Sequence, residues 1–88
     1  MQLRTLFRSP ARDRQRTQAL EERSTRALED EYASWRRENQ AVAESYRGWT
    51  RAPRDERWLA YAAYLAALDR EEHAAWAYRR LVEQAHGR

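Results

Sequence analysis

Apolar residues recur along the middle of the chain with the spacing of a long helix that packs lengthwise against other helices. Successive positions are separated alternately by four and three residues. They are Leu28, Tyr32, Trp35, Asn39, Val42, Tyr46 and Trp49. This heptad spacing keeps one side of a helix facing its neighbour over its whole length. The pattern predicts a coiled-coil-like helix in the first half of the chain.

Residues that favour helix ends bound this first helix. Ser9 supplies an N-cap hydroxyl, and Pro10 suits the first helical position, where no backbone N–H is needed. Gly48 can adopt the left-handed conformation that ends a helix. We therefore predict a first helix over about residues 10–47 and a turn at 48–52.

A second helical stretch begins at Pro53 and stops at Gly87, which predicts a helix over about residues 53–86. Asp69 fits an N-cap and would start a third helix if the second one broke there. No turn residues precede Asp69, so we expect a continuous helix. Two long helices joined by a short turn lie antiparallel. The predicted fold class is all-α, a long antiparallel two-helix hairpin.

Folding the chain about residue 51 gives an approximate register, in which residue 51−k lies beside residue 51+k. The predicted neighbours are Trp35 with Ala66 and Ala67, Leu28 with Ala74 and Ala75, and Val42 with Ala60. Bulky side chains would then face alanines, which favours close interdigitated packing. The same rule leaves residues 1–15 beyond the end of the second helix, as an arm apart from the hairpin of residues 16–88.

The second helix is apolar on two nearly opposite sides. At 100° per residue, one stripe consists of Trp58, Tyr61, Leu65, Leu68 and Trp76. The other consists of Ala60, Ala63, Ala67, Ala74, Tyr78 and Leu81. A helix that is apolar on two sides is usually covered on two sides. One side meets the first helix, so we expect the other to meet a second copy in a dimeric four-helix bundle, with the direction of the two copies left open.

Composition supports self-association and argues against catalysis. The chain has 88 residues and no cysteine, so it forms one small domain without disulfides, thiolate zinc sites or a cysteine nucleophile. Without disulfides or thiolate zinc sites, a domain of this size is expected to gain stability by forming an oligomer. We find no glycine-rich phosphate loop and no nucleophile–base–orienter set. We expect a protein that is not an enzyme and takes no cofactor.

The positive charge of the chain is concentrated in the N-terminal arm. All seventeen basic residues are arginines, and the net charge is +3. Five arginines less one aspartate give residues 1–20 a charge of +4, which leaves −1 for residues 21–88. The five are Arg4, Arg8, Arg12, Arg14 and Arg16. They suit nucleic-acid phosphates or an acidic protein, and a solvated, partly disordered or frayed tail is the third interpretation.

Two polar features each have a functional interpretation and a purely structural one. Asn39 either specifies helix register from within the apolar seam or turns to a wet edge of it. Asp69, Glu72 and His73 form the one metal-like cluster, and we interpret them as surface charge because the required Glu-x-x-His repeat is absent. We predict no metal site.

No signal peptide and no apolar stretch of membrane-spanning length is visible, so we expect a cytoplasmic protein. Leu3, Leu6 and Phe7 offer at most a weak membrane contact. Aromatic and arginine side chains are enriched at protein interfaces. We therefore expect a small interaction, adaptor or regulatory protein that binds a partner through its aromatic face and Arg-rich arm. The alternative is a nucleic-acid-binding regulator with paired basic arms on a dimeric body.

Overall fold

The computed structural model describes residues 10–87 and shows an all-α hairpin, as the heptad pattern predicts. Helix α1 spans Pro10–Arg51, and helix α2 spans Arg57–His86. A single 3-10 turn at Arg54–Glu56 joins them. The two helices pack against each other in opposite directions. The part of the predicted arm that the structure describes, residues 10–15, belongs to α1. Residues 1–9, with Ser9 among them, lie outside the described residues.

The predicted end of the first helix at Gly48 is wrong. Helix α1 continues through Gly48 to Arg51, and no glycine among residues 10–87 has a positive φ. A helix can pass through glycine at a cost of about 1 kcal/mol relative to alanine. Trp49, directly after it, offsets this cost by packing against Tyr61 and Tyr64. The helix ends instead before Pro53, which lacks an N–H and restricts the residue that precedes it.

The second helix starts later than predicted and is not interrupted. Pro53 has an extended ψ of 156°, and its carbonyl oxygen accepts a hydrogen bond from the Glu56 amide at 3.0 Å. The α-helix then runs without a break through Asp69. At the C-terminal end, the Gly87 amide donates to the Glu83 carbonyl at 2.8 Å. A Cβ on Gly87 would lie 2.9 Å from that oxygen, so glycine permits this tight end.

The register of the hairpin differs from the predicted one by about eight residues along α2, roughly two helical turns. Trp35 stacks on Tyr78 with ring centroids 6.0 Å apart, so its predicted contact with Ala66 and Ala67 is wrong. The predicted partners of Leu28 and Val42 shift in the same way, and Leu28 shares a groove with Leu81. The cause is the longer α1. The chain now folds about Arg54–Glu56, and the observed pairs are centred there, instead of at residue 51.

Alternate residues of the predicted seam lie between the helices, and the positions between them lie at its edge. Leu28, Trp35, Val42 and Trp49 are half-buried. Tyr32, Asn39 and Tyr46 are exposed at the edge of the hairpin, and the residues one position earlier take their place between the helices. Those residues are Glu31, Glu38 and Ser45. Asn39 therefore lies at the wet edge within the single chain.

Helix α2 turns its alanine-rich stripe toward α1. The half-buried or buried residues of this stripe follow the same four–three spacing. They are Ala60, Tyr64, Ala67, Glu71, Ala74, Tyr78 and Leu81. Among residues 10–87, Ala67 alone is fully buried, with 1% of its surface exposed. The core of the single hairpin is thus a narrow line of contacts between two helices.

Replacing Gly48 by alanine is expected to stabilise the fold by about 1 kcal/mol, because alanine is the better helix former at an interior position. A Cβ at this position would have no atom within 4 Å, so no clash opposes the gain. Urea unfolding of the two proteins at equal concentration measures the difference. Destabilisation would show that Gly48 ends the helix in solution.

Candidate protein-interaction surface

Two aromatic clusters hold the hairpin together. The turn-end cluster consists of Tyr46, Trp49, Tyr61 and Tyr64, and its closest rings, those of Trp49 and Tyr61, have centroids 4.7 Å apart. Trp49 also stacks on Tyr64 with ring planes 19° apart. Edge-to-face and offset pairs of this kind add about 0.5–1.5 kcal/mol each beyond their buried area. They fix the two helices to each other beside the turn.

The distal cluster consists of Tyr32, Trp35 and Tyr78. Trp35 stacks on Tyr78 with ring planes 10° apart and meets the edge of Tyr32 at 5.9 Å. Tyr32 also lies 5.5 Å from Tyr78. Tyrosine can place an apolar ring against the seam and its hydroxyl in water. This explains why Tyr32 contributes to packing although 45% of its surface is exposed.

Two polar contacts specify the register of the helices. The Trp35 Nε1–H donates to the Glu71 carboxylate at 2.8 Å. Arg70 Nε donates to the Glu38 carboxylate at 3.2 Å, which forms an ion pair at the exposed edge of the seam. The heptad pattern of apolar residues does not identify Glu38 and Glu71. Their four–three spacing from Trp35 and Ala74, on the faces that meet, was the signal for them.

The outer face of α2, opposite α1, carries large apolar side chains that the chain itself leaves exposed. We call Trp58, Tyr61, Leu65 and Trp76 the outer stripe; their exposed fractions are 72%, 41%, 46% and 57%. Tyr61 lies at the edge of this face, because its ring also packs against Trp49 of α1. The outer stripe contains four of the five residues of the predicted stripe, and the fifth, Leu68, is half-buried. Contiguous exposed apolar patches larger than a few hundred Å² mark interaction sites.

The hairpin exposes far more surface than a compact domain of its mass. A folded chain of 10.6 kDa has an accessible surface of about 5,500 Å². The hairpin has 7920 Å². Its radius of gyration is 22.2 Å, against about 12 Å for a compact chain of this length. Much of its apolar surface is therefore available to a partner.

Charged residues divide the outer stripe between Leu65 and Trp76. The His73 Nδ1 atom lies 2.8 Å from the Asp69 backbone oxygen and 3.8 Å from the Asp69 carboxylate. That carbonyl first, and then the carboxylate, raise the pKa of His73 above its ordinary value. Glu72 adds to the same effect. Within residues 10–87 no group of three acidic, histidine or cysteine side chains could hold a metal ion.

Basic residues follow Trp76 along the same face of α2. The Arg80 guanidinium lies 4.9 Å from the centre of the Trp76 ring, a cation–π contact. Arg79 is exposed beside it. From the N-terminal end of α2 onward, the outer face is thus apolar, then acidic, then aromatic and finally basic. The two ends of the outer face therefore differ in charge and in apolar character.

Three arginines of the predicted arm lie on a part of α1 that α2 does not reach. By the observed register, His86 at the end of α2 is level with Ser24. Residues 10–23 therefore extend past α2 by about 20 Å. Arg12, Arg14 and Arg16 are exposed on this extension. Arg4 and Arg8 lie outside the described residues.

Comparison with protein-family models, with curated proteins and with solved structures finds no match to this chain. Nor does any helix among residues 10–87 have the length and apolar character needed to span a membrane. Function must therefore be inferred from the surface itself.

Proposed function

We propose that this protein is a non-enzymatic interaction module that works as a dimer. Two hairpins associate through the outer stripes of α2 into a four-helix bundle. The dimer then binds a protein partner through its Arg-rich arms and the aromatic residues left at the edges of the bundle. Catalysis has no part in this proposal.

The observation that carries the proposal is the exposure of the outer stripe. Trp58 and Trp76 each leave more than half of their surface in water, on the side of α2 that α1 does not cover. Burying an aromatic side chain removes about 150–250 Å² from water, at about 25 cal/mol per Å². A second copy is the simplest source of a matching apolar surface, because its own outer stripe is equally exposed to water.

Replacing Trp58 by aspartate is expected to weaken dimerisation about 100-fold, because a carboxylate would be buried where an apolar side chain belongs. Leu59→Asp is the matched control. Leu59 is also exposed, at 59%, but it lies a quarter turn away from the outer stripe. An aspartate in the first turn of α2 is favourable for the helix at either position.

Sedimentation equilibrium measures the two dissociation constants, with circular dichroism to confirm helicity. We expect the Leu59 variant to stay within about threefold of the parent protein, since substitutions outside an interface centre change affinity little. An equal effect of both substitutions would contradict dimerisation through the outer stripe.

The alternative, a nucleic-acid-binding regulator, is supported by the exposed arginines on the extension of α1. A dimer would carry two such extensions at a fixed separation. Binding through several phosphate contacts falls steeply with salt, by about 10³–10⁵ between 50 and 200 mM for six to ten contacts. An aromatic protein interface lacks this dependence, so a salt titration separates the two proposals.

A further inference from the structure

We propose that the two copies associate antiparallel, each inserting Trp58 into a groove at the open end of its partner's hairpin. This inference rests on the proposed dimer and specifies its direction and contacts. The groove is lined by five apolar residues, among them Leu20, Leu28 and Leu81, and by six polar ones, among them Thr17, Glu21 and Gln84. The occupant is a second copy of this chain.

Trp58 and the groove, whose leucine and alanine side chains lie among polar ones, are at opposite ends of the hairpin. Trp58 follows the first residue of α2 and is the most exposed large apolar side chain among residues 10–87. The groove lies where α2 ends and α1 extends past it. Leu20, on that extension, is 54% exposed. No other side chain of residues 10–87 fills the groove.

The distance between these features excludes contact within one chain. Trp58 and Ala85 are on the same straight helix and about 40 Å apart along its axis. Two copies in the same direction would set Trp58 beside Trp58 and groove beside groove. Antiparallel copies bring each Trp58 to the partner's groove. A twofold axis then satisfies both contacts in a closed dimer.

Charges on the outer face favour the same alignment. By the register of the hairpin, setting Trp58 level with the partner's Leu20 also sets Asp69 level with the partner's Arg79. Glu72 then lies beside the partner's Trp76, one turn from Arg80. A parallel dimer would instead oppose Asp69 to Asp69 and Arg79 to Arg79. Like-charge contacts of this kind disfavour the wrong arrangement.

The exposed surface of the hairpin leaves room for an interface of the size that specific dimers use. A specific interface buries about 800 Å² on each partner. The hairpin exposes 7920 Å², which exceeds the surface of a compact chain of its mass by more than that amount. The antiparallel alignment packs the two outer stripes together and sets each Trp58 beyond the end of the partner's α2, where the groove is open. It therefore covers the outer stripe and the groove with one partner.

Cross-linking of engineered cysteines tests the direction, since the chain has no cysteine of its own. Ala62→Cys and Glu83→Cys place thiols on the exposed outer face. In the antiparallel dimer residue 62 lies near residue 83 of the partner, whereas two residues 62 lie about 36 Å apart. The two variants are mixed, and their subunits are allowed to exchange under reducing conditions. The mixture is then treated with a short bismaleimide.

We expect the mixture to form covalent dimers and each variant alone to form none. Self-cross-linking of either variant would show a parallel dimer and overturn the proposal. A sedimenting dimer that gives no cross-link in the mixture would place the interface elsewhere, which also overturns it. A monomeric parent protein would remove the proposed dimer itself, so the two failures are distinguishable.

A charge exchange provides an independent measurement. We expect Asp69→Arg and Arg79→Asp each to weaken dimerisation about tenfold, because both create like-charge contacts across the twofold axis. The double variant restores opposite charges and is expected to return to within about twofold of the parent protein. Failure of the double variant to recover, with helicity intact, would overturn the proposed alignment.

Discussion

Replacing Trp35 by alanine is expected to lower the free energy of unfolding by about 3 kcal/mol. Trp35 stacks on Tyr78, meets the edge of Tyr32 and donates its N–H to Glu71. Alanine removes all three contacts and leaves the half-buried Glu71 carboxylate without its donor. Tryptophan-to-alanine changes in protein cores cost about 3–5 kcal/mol, and the half-burial of Trp35 favours the lower end.

Urea unfolding at fixed protein concentration measures this loss, and Trp35→Phe is the matched control. Phenylalanine keeps an aromatic ring against Tyr78 but cannot donate to Glu71. We therefore expect the control to lose about 1–2 kcal/mol, the size of one charge-assisted hydrogen bond and a small change in volume. A loss below about 0.5 kcal/mol in the alanine variant would show that Trp35 does not hold the seam.

Deleting residues 1–15 is expected to abolish partner binding while leaving the dimer nearly intact. Helix α1 is not accompanied by α2 before about Ser24, so residues 10–15 bury little surface. The groove that receives Trp58 is lined by residues from Thr17 onward and survives the deletion. The deleted segment holds four of the five arginines of the arm, and Arg16 follows it directly.

Capture from host lysate, with and without nuclease, compares the full chain with the truncated chain. Circular dichroism and sedimentation serve as controls for fold and assembly. We expect nuclease-resistant capture by the full chain and none by the truncated chain. Nuclease-sensitive capture would favour the nucleic-acid alternative. Collapse of the dimer would show that the arm is a packed element, and capture by both chains would assign recognition to the aromatic face alone.

The hairpin could be predicted from the sequence because strong signals agree along most of its length. Helix formers run without a breaker from Pro10, and Pro53 stands between two long periodic stretches. The outer stripe of α2 could also be predicted from the sequence, because a projection at 100° per residue separates it from the alanine stripe. The outer stripe is exposed in the single chain because α1 packs against the alanine stripe on the other side of α2.

The register could not be predicted, since it depends on a small free-energy difference at Gly48. Glycine can end a helix or continue it, and the packing of Trp49 decides between the two outcomes. The inner seam of α1 was misassigned for a related reason. Tyr32 is more apolar than Glu31, yet a tyrosine can pack from the edge. Glu31 then occupies the position between the helices.

Sedimentation equilibrium of the unmodified protein at micromolar concentration tests the central claim most directly. A dimer through the outer stripes of α2 predicts a mass of twice 10.6 kDa that dissociates on dilution. A homogeneous species of 10.6 kDa throughout this range would contradict the dimeric bundle.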